Sequence, residues 1–365
     1  MTKYRQLSLL FLFTPLTFAT YSSNGCSIFC FGDADDGQFV ARNYDWNSGE
    51  GLIVINKRSI AKQALSFDNP VKWKSKYGSI SFCQYGREFP CDGMNEAGLM
   101  ISVLWLAESH YPRRDKRPSI STLQWVQYQL DTAKSVAEIV ASAKGLRIKP
   151  ISKATLHYFV CDKTGDCATI EFLKGKMVVH RGEQLAHRCL TNNSYVKSAQ
   201  SATRLKEFGG SHSPGQSGSS LDRYCRAAVA AKKENWPTQL DVKYGFRVLA
   251  DLGRTDYTKW RIVYNLTEGV IHFRTFDFPQ TKSIHLADFD LTTAAPVMVC
   301  NMNIKAKGEL NNKFSAYSAE QNQRIFTSAM KTTGVLHGVS NHQQLIKQIA
   351  KYPETYGFPV ALSPQ

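Results

Sequence analysis

The 365-residue sequence has no internal apolar run long enough to span a bilayer, which excludes a helical membrane protein of several spans. It has no Cys-x-x-Cys and no His-x-x-x-His pair, so the ligand spacing of a zinc centre is missing and no metal or cofactor is expected. The Cys-Gly-Ser-Cys-Trp signature of a papain-type Cys/His pair is absent too. The chain shows no internal repeat. Its Lys and Arg are scattered, without a basic helix or a nucleic-acid fold signature, so the net charge of +15 reads as a solvated basic surface and not as DNA binding. What is present is a folded composition: 43% hydrophobic and 12% aromatic residues can bury a substantial core.

The first 25 residues read as an export signal. Lys3 and Arg5 form a basic start, and Leu7–Ala19 forms an apolar core that is short and contains Pro15. Ser23 and Gly25 are small residues where a signal peptidase reads the chain. Cleavage there gives a periplasmic or secreted chain with no stable membrane anchor. This segment holds two basic residues and no acidic one, so removing it leaves 43 basic against 30 acidic residues. Such a balance suits an anionic small molecule carrying a carboxylate or sulfonate. Nine cysteines in an exported chain leave at least one unpaired. Cys161 and Cys167 flank the turn-like Asp-Lys-Thr-Gly-Asp, where a hairpin disulfide can form.

Strand-like alternation runs through Ser27–Phe31, Phe39–Arg42, Gly51–Asn56, Ile80–Gln84 and, behind the turn at 95–98, Leu99–Leu106. Helical periodicity takes over at Ser121–Asp131 and Ser135–Ala143, with Ser or Thr near each start to cap free N–H groups. Strands return at Thr155–Cys161, Ala168–Phe172 and Lys176–His180, followed by helices at Arg223–Glu234 and Val242–Leu252. A hairpin at 260–276 and helices at Ala319–Lys331 and His342–Lys351 complete the pattern. Runs of strands alternating with pairs of helices indicate an α+β layered fold in a single domain, 26–365. The Gly/Ser-rich stretch at about 207–222 reads as a mobile loop, not a linker.

Cleavage in front of Cys26 would leave a thiol and an α-amine on one residue. An α-amine has a reference pKa of roughly 7.7–8.0, so a fraction is neutral near pH 7 and can take the thiol proton without a histidine. Ala41-Arg42-Asn43-Tyr44-Asp45-Trp46 supplies a cation and a carboxylate nearby. Arg42 and Asp45 are three apart and would face opposite sides of a regular strand. They meet at one site only if the strand ends or twists between them.

Cys26-Ser-Ile-Phe followed by Ala41-Arg42-Asn43-Tyr44-Asp45 resembles the N-terminus of the choloylglycine hydrolase family, with Arg 16 and Asp 19 residues after the Cys. That family comprises conjugated bile acid hydrolases and penicillin V acylases, which are N-terminal-nucleophile hydrolases. The likeness continues through Asp92-Gly-Met-Asn-Glu-Ala-Gly-Leu99, Thr155-Leu-His-Tyr158, Leu190-Thr191-Asn192 and Asp222-Arg223-Tyr224. It implies a four-layer αββα fold, two antiparallel sheets packed between helical layers, and frequent assembly into tetramers. It also implies a linear amide C–N hydrolase with catalytic Cys26, Arg42, Asp45, Asn192 and Arg223. Cys26 would form a thioester, its amine held by Asp45 and its thiolate by Arg42. Asn192 would orient the amine or the oxyanion, and Arg223 would complete the charge network.

One position departs from the pattern. Gram-positive members carry an oxyanion-hole asparagine where this sequence has Trp105. Either its indole N–H donates in place of the amide, or backbone N–H groups do so while Trp105 packs on the acyl group. With Trp46 it would form an aromatic wall for substrate binding, as in the Gram-negative branch. That suits penicillin V or acyl-homoserine-lactone-like amides better than it suits a bile salt. A lipoprotein and a non-catalytic binding protein on the same fold are the two outcomes of another class.

Overall fold

The computed structural model describes residues 25–33, 36–66, 68–254, 256–334 and 342–355. The export signal at 1–25 lies outside the described residues except for Gly25.

The chain begins with a hairpin of β1 (Ser27–Phe31) and β2 (Phe39–Asp45), which carries the site. Every residue of both strands is buried, because the sheet they belong to is covered on both faces. β1, Ser-Ile-Phe-Cys-Phe, has the nearly continuous apolar character that double burial demands. β2 does not: Arg42, Asn43 and Asp45 lie inside it with no exposure. Burying charges is costly unless they are paired, so their presence there marks a built site.

Seven strands form the first sheet, in the order Cys189–Leu190, β1, β2, Thr258–Asn265, Val270–Thr275, Lys282–His285 and Gly308–Glu309. All its pairs are antiparallel except the last. The second sheet has nine antiparallel strands, in the order Lys176–Arg181, Cys167–Leu173, Leu156–Asp162, Leu99–Trp105, Asp92–Asn95, Ser79–Cys83, Leu52–Asn56, Met298–Asn301 and Ser315–Ala316. The sheets face each other across aromatic contacts. Phe82 of the second sheet meets Tyr264 and Phe273 of the first edge-on, with ring centroids 6.2 and 5.9 Å apart.

Helices α1 (Thr122–Thr132) and α2 (Val136–Ala143) cover the outer face of the nine-stranded sheet. Ser121 and Ser135 cap them by accepting from the N–H groups of Gln124 and Glu138. Helices α3 (Tyr195–Ala202), α4 (Ser220–Ala231) and α5 (Val242–Leu252) lie over the seven-stranded sheet. The layers are therefore helix, sheet, sheet, helix, as the sequence resemblance implied. Two further helices, α6 (Ala319–Thr333) and α7 (His342–Lys351), pack on each other at one end of the sandwich.

Two helices differ from the sequence reading, one in its start and one, α3, that the sequence did not announce. α4 starts at Ser220, three residues before Arg223, because the Ser219 hydroxyl caps it by accepting from Asp222 N. α3 carries few apolar residues and has no side-chain cap bond. Its first N–H, at Tyr195, instead donates to buried Glu171, 2.9 Å away, so a tertiary contact holds this helix. The hairpin disulfide that the turn permits is present between Cys161 and Cys167, which stand directly opposite each other on paired strands.

Candidate active site

Cys26 sits at the head of β1, 5% exposed, with its thiol directed at the Asp45 main-chain carbonyl 4.0 Å away. The approach of Asp45 has a local cause. Its partner strand pairs Thr258 with Asp45 but Trp260 with Tyr44, so Lys259 is an extra residue. Such a shift bends and twists the ladder. β2 ends there, and the regular alternation that would separate Arg42 from Asp45 is broken.

The Arg42 guanidinium crosses from the first sheet into the second. Nη2 lies 3.8 Å from Cys26 Sγ and donates to Val103 O at 2.9 Å, and Nη1 donates to Cys91 O at 3.2 Å. Asp92 pairs with it in a fully buried ion pair and also accepts from Tyr264 Oη at 2.5 Å. A cation is thus held beside the sulfur by groups that also neutralise it.

Asp45 accepts from Thr258 Oγ1 at 2.6 Å through Oδ1, while its other oxygen is buried without a partner in the uncut chain. Burial raises its pKa, opposed by the Thr258 hydrogen bond and by the positive charges of Arg223, Arg254 and Arg261. An unpaired carboxylate oxygen at this depth is unfavourable until a donor arrives.

Arg223, in the first turn of α4, grips the nucleophile's backbone. Nη1 donates to Cys26 O at 2.7 Å and to Ser27 Oγ at 2.6 Å, Nη2 to Asn192 Oδ1 at 2.9 Å, and Nε to Gly218 O at 3.1 Å. Burial lowers its pKa, and the charges of Asp45 and Cys26 oppose that. Asn192 also donates through Nδ2 to Trp105 O at 2.9 Å. The turn bearing Asn192 is braced from behind by His157. Its Nε2 lies 2.8 Å from Thr191 O and its Nδ1 3.0 Å from Glu171, both side chains fully buried. A carbonyl only accepts, so Nε2 carries the proton there.

Gly25 is buried in the same place. A Cβ on it would lie 1.8 Å from Arg223 Nη2 and 2.5 Å from Asn192 Oδ1, so any side chain before Cys26 in the uncut chain would push these two groups aside.

Beyond the thiol opens a cavity lined mostly by apolar side chains. Trp46 and Trp105 stand side by side in its wall, ring centroids 5.8 Å apart, and the Trp46 indole N–H donates to Tyr85 Oη at 2.9 Å. Asp45 is the only charged residue among the described residues lining it. The Gly/Ser-rich stretch reaches the site through Gly218 O, and its other described residues do not line the cavity.

The structure thus gathers Cys26, Arg42, Asp45, Asn192 and Arg223 around one thiol and puts Trp46 and Trp105 on one wall. Sequence reasoning did not find Asp92 as the partner of Arg42, Thr258 as the partner of Asp45, or His157 behind Asn192. Asp92 and His157 stood in quoted motifs, but only the paired sheets show what they touch.

Residues 26–224 match the model of the linear amide C–N hydrolases, choloylglycine hydrolase family. The chain belongs to this family. Among its relatives, a penicillin V acylase of Pectobacterium atrosepticum is 30% identical over 239 residues, 60% of this chain and 63% of that one. The match therefore spans less than two thirds of that protein. A bile salt hydrolase/transferase of Lactiplantibacillus plantarum is 24% identical over 300 residues, 70% of this chain and 91% of that protein. Among solved structures, the penicillin V acylase of Agrobacterium tumefaciens superposes with a TM-score of 0.70 at 28% identity, covering 80% of this chain and 98% of that chain. A mutant conjugated bile acid hydrolase of Clostridium perfringens, at 18% identity and a TM-score of 0.63, shares the fold over 78% of this chain and 99% of its own. The family members thus share the αββα arrangement built here.

Proposed function

We propose that this chain, exported and cut before Cys26, hydrolyses N-acyl amides through an N-terminal cysteine. The observation that carries the reading is the convergence of Arg42, Asp45, Asn192 and Arg223 on Cys26 at the mouth of an apolar cavity.

The free α-amine takes the Cys26 thiol proton, and Arg42 stabilises the resulting thiolate. Sulfur attacks the amide carbonyl carbon, forming a C–S bond and an oxyanion. Asn192 spends one Nδ2 hydrogen on Trp105 O and has a second to offer that oxyanion. Collapse breaks the C–N bond, and the ammonium returns its proton to the leaving nitrogen. Water then attacks the thioester, the amine takes the water proton, and the acid departs as the thiol is restored. Asp45 holds the amine through its unpaired oxygen, and Arg223 fixes the Cys26 carbonyl so that sulfur and amine keep their geometry.

The acyl part sits against Trp46 and Trp105, which favours penicillin V or an acyl-homoserine-lactone-like amide over a conjugated bile salt. Arg223, Arg254 and Arg261 surround Asp45 with positive charge, which suits a leaving amine that carries an anion. The test is hydrolysis of four classes by the purified cut chain: penicillin V, N-acyl homoserine lactones, conjugated bile salts and N-acyl amino acids. The expected outcome is turnover of one or both of the first two, lost in Cys26→Ser. Equal activity in Cys26→Ser would refute the nucleophile.

A further inference from the structure

The cavity behind Cys26 does not end within the two sheets. Phe326 and Met330 of α6 and Ile349 of α7 line it, and all three are buried. These helices lie outside the 26–224 region matched to the family. Phe326 and Met330 are four residues apart and so share one face of α6, turned towards the cavity.

The hairpin of α6 and α7 is not loosely placed. Buried Asn322 ties it down, accepting from Arg87 N at 2.7 Å and donating to Ala350 O at 3.0 Å. Phe89 packs against Tyr352 with ring centroids 5.8 Å apart. The segment supplying Tyr85 and Phe89 to the cavity is therefore clamped against the hairpin, and the wall that α6 and α7 make has a defined position. A ring seated against Trp46 and Trp105 stays near the thiol, whereas an extended aliphatic chain can run on towards the helices.

We infer that the α6–α7 hairpin gauges acyl-chain length: the acyl part is a flexible aliphatic chain with its carbonyl at Cys26 and its terminal methyl against Phe326, Met330 and Ile349. This rests on the amide-hydrolase reading. Each methylene that enters the apolar cavity strengthens binding about fourfold, until the chain meets the wall. Met330 adapts its shape to the chain end, while the ring of Phe326 sets the limit.

The test is kcat/KM over N-acyl homoserine lactones lengthened in two-carbon steps, for the cut wild-type chain, Phe326→Ala and Ile349→Trp. Wild type should show an optimum length. Phe326→Ala should move it to chains longer by at least one step, and Ile349→Trp should move it to shorter ones. Opposite shifts separate a gauge from a general loss of fold, which would lower every length alike. An optimum that stays put in both variants overturns the inference. If wild type hydrolyses no amide, the activity reading fails, and the hairpin is then tested alone. Fatty acids of graded length are titrated into Cys26→Ser, with and without Phe326→Ala, and binding is followed by isothermal titration calorimetry. Affinity whose optimum length moves with Phe326→Ala supports the gauge, and length-independent affinity overturns it.

Discussion

Replacing Asp45 with Asn tests how the amine of Cys26 is held. In the uncut chain one oxygen of Asp45 takes the Thr258 hydroxyl at 2.6 Å and the other is buried and unpaired. Cutting before Cys26 creates an amine that this free oxygen can accept from, and a hydrogen bond to a charged group contributes about 1.5–3 kcal/mol. Loss of that bond should lower kcat/KM roughly 10- to 150-fold. The pH profile gives a second readout with a definite sign. Activity needs the neutral amine, so kcat/KM rises as pH climbs through the amine's pKa. The Asp45 carboxylate stabilises the ammonium form and holds that pKa up. Without it the acid limb should move down by about one to two pH units. The assay is initial-rate hydrolysis of the best amide from the panel between pH 5 and 9. An acid limb that stays in place, or moves up, would show that Asp45 does not face the amine, however large the loss of rate.

Two further outcomes follow from the same geometry. His157→Leu should destabilise the protein by about 1–3 kcal/mol in denaturant unfolding, because buried Glu171 and the Thr191 carbonyl each lose a hydrogen-bond partner, and adding Glu171→Leu should deepen the loss by stripping the Tyr195 N–H of its acceptor. The Gly/Ser-rich stretch at 209–220, exposed over most of its length, should be the first site nicked in limited proteolysis, and substrate bound at Cys26 should slow the cut by fixing Arg223 and, through it, Gly218. Nicking first elsewhere, with no effect of substrate, would refute the loop's mobility.

The fold was legible wherever local chemistry and pattern agreed. Ser121 and Ser135 announced α1 and α2, and the strand-like alternation at 27–31 and 39–42 announced β1 and the start of β2. α3 was not legible, since what starts it is Glu171 on a strand 24 residues earlier. The site was legible at Cys26, Arg42, Asp45, Asn192 and Arg223 because these stand in ordered motifs. Their partners were hidden for a physical reason. Asp92 meets Arg42 only because two sheets face each other, and Thr258 meets Asp45 only where an extra residue shifts the register. The far wall of the cavity was the least visible. A helical stripe such as Phe326 and Met330 shows that a face is covered, not that part of what it faces is a cavity.

The burial of Gly25 bears on the order of events in making this protein. The peptide bond to be cut lies between two buried residues, and Gly25 is wedged against Arg223 and Asn192. A protease arriving from outside could not reach that bond once the sheets had closed over it. If an external peptidase makes the cut, it must act while the chain is still emerging and unfolded. Folding then closes around an N-terminus that already exists. A chain that folded first would keep its amine locked in an amide, with Gly25 held against Arg223 and Asn192. On the proposed cleavage, maturation would be a race between cutting and collapse, and slowing the peptidase should accumulate a folded, inert precursor that later protease cannot rescue.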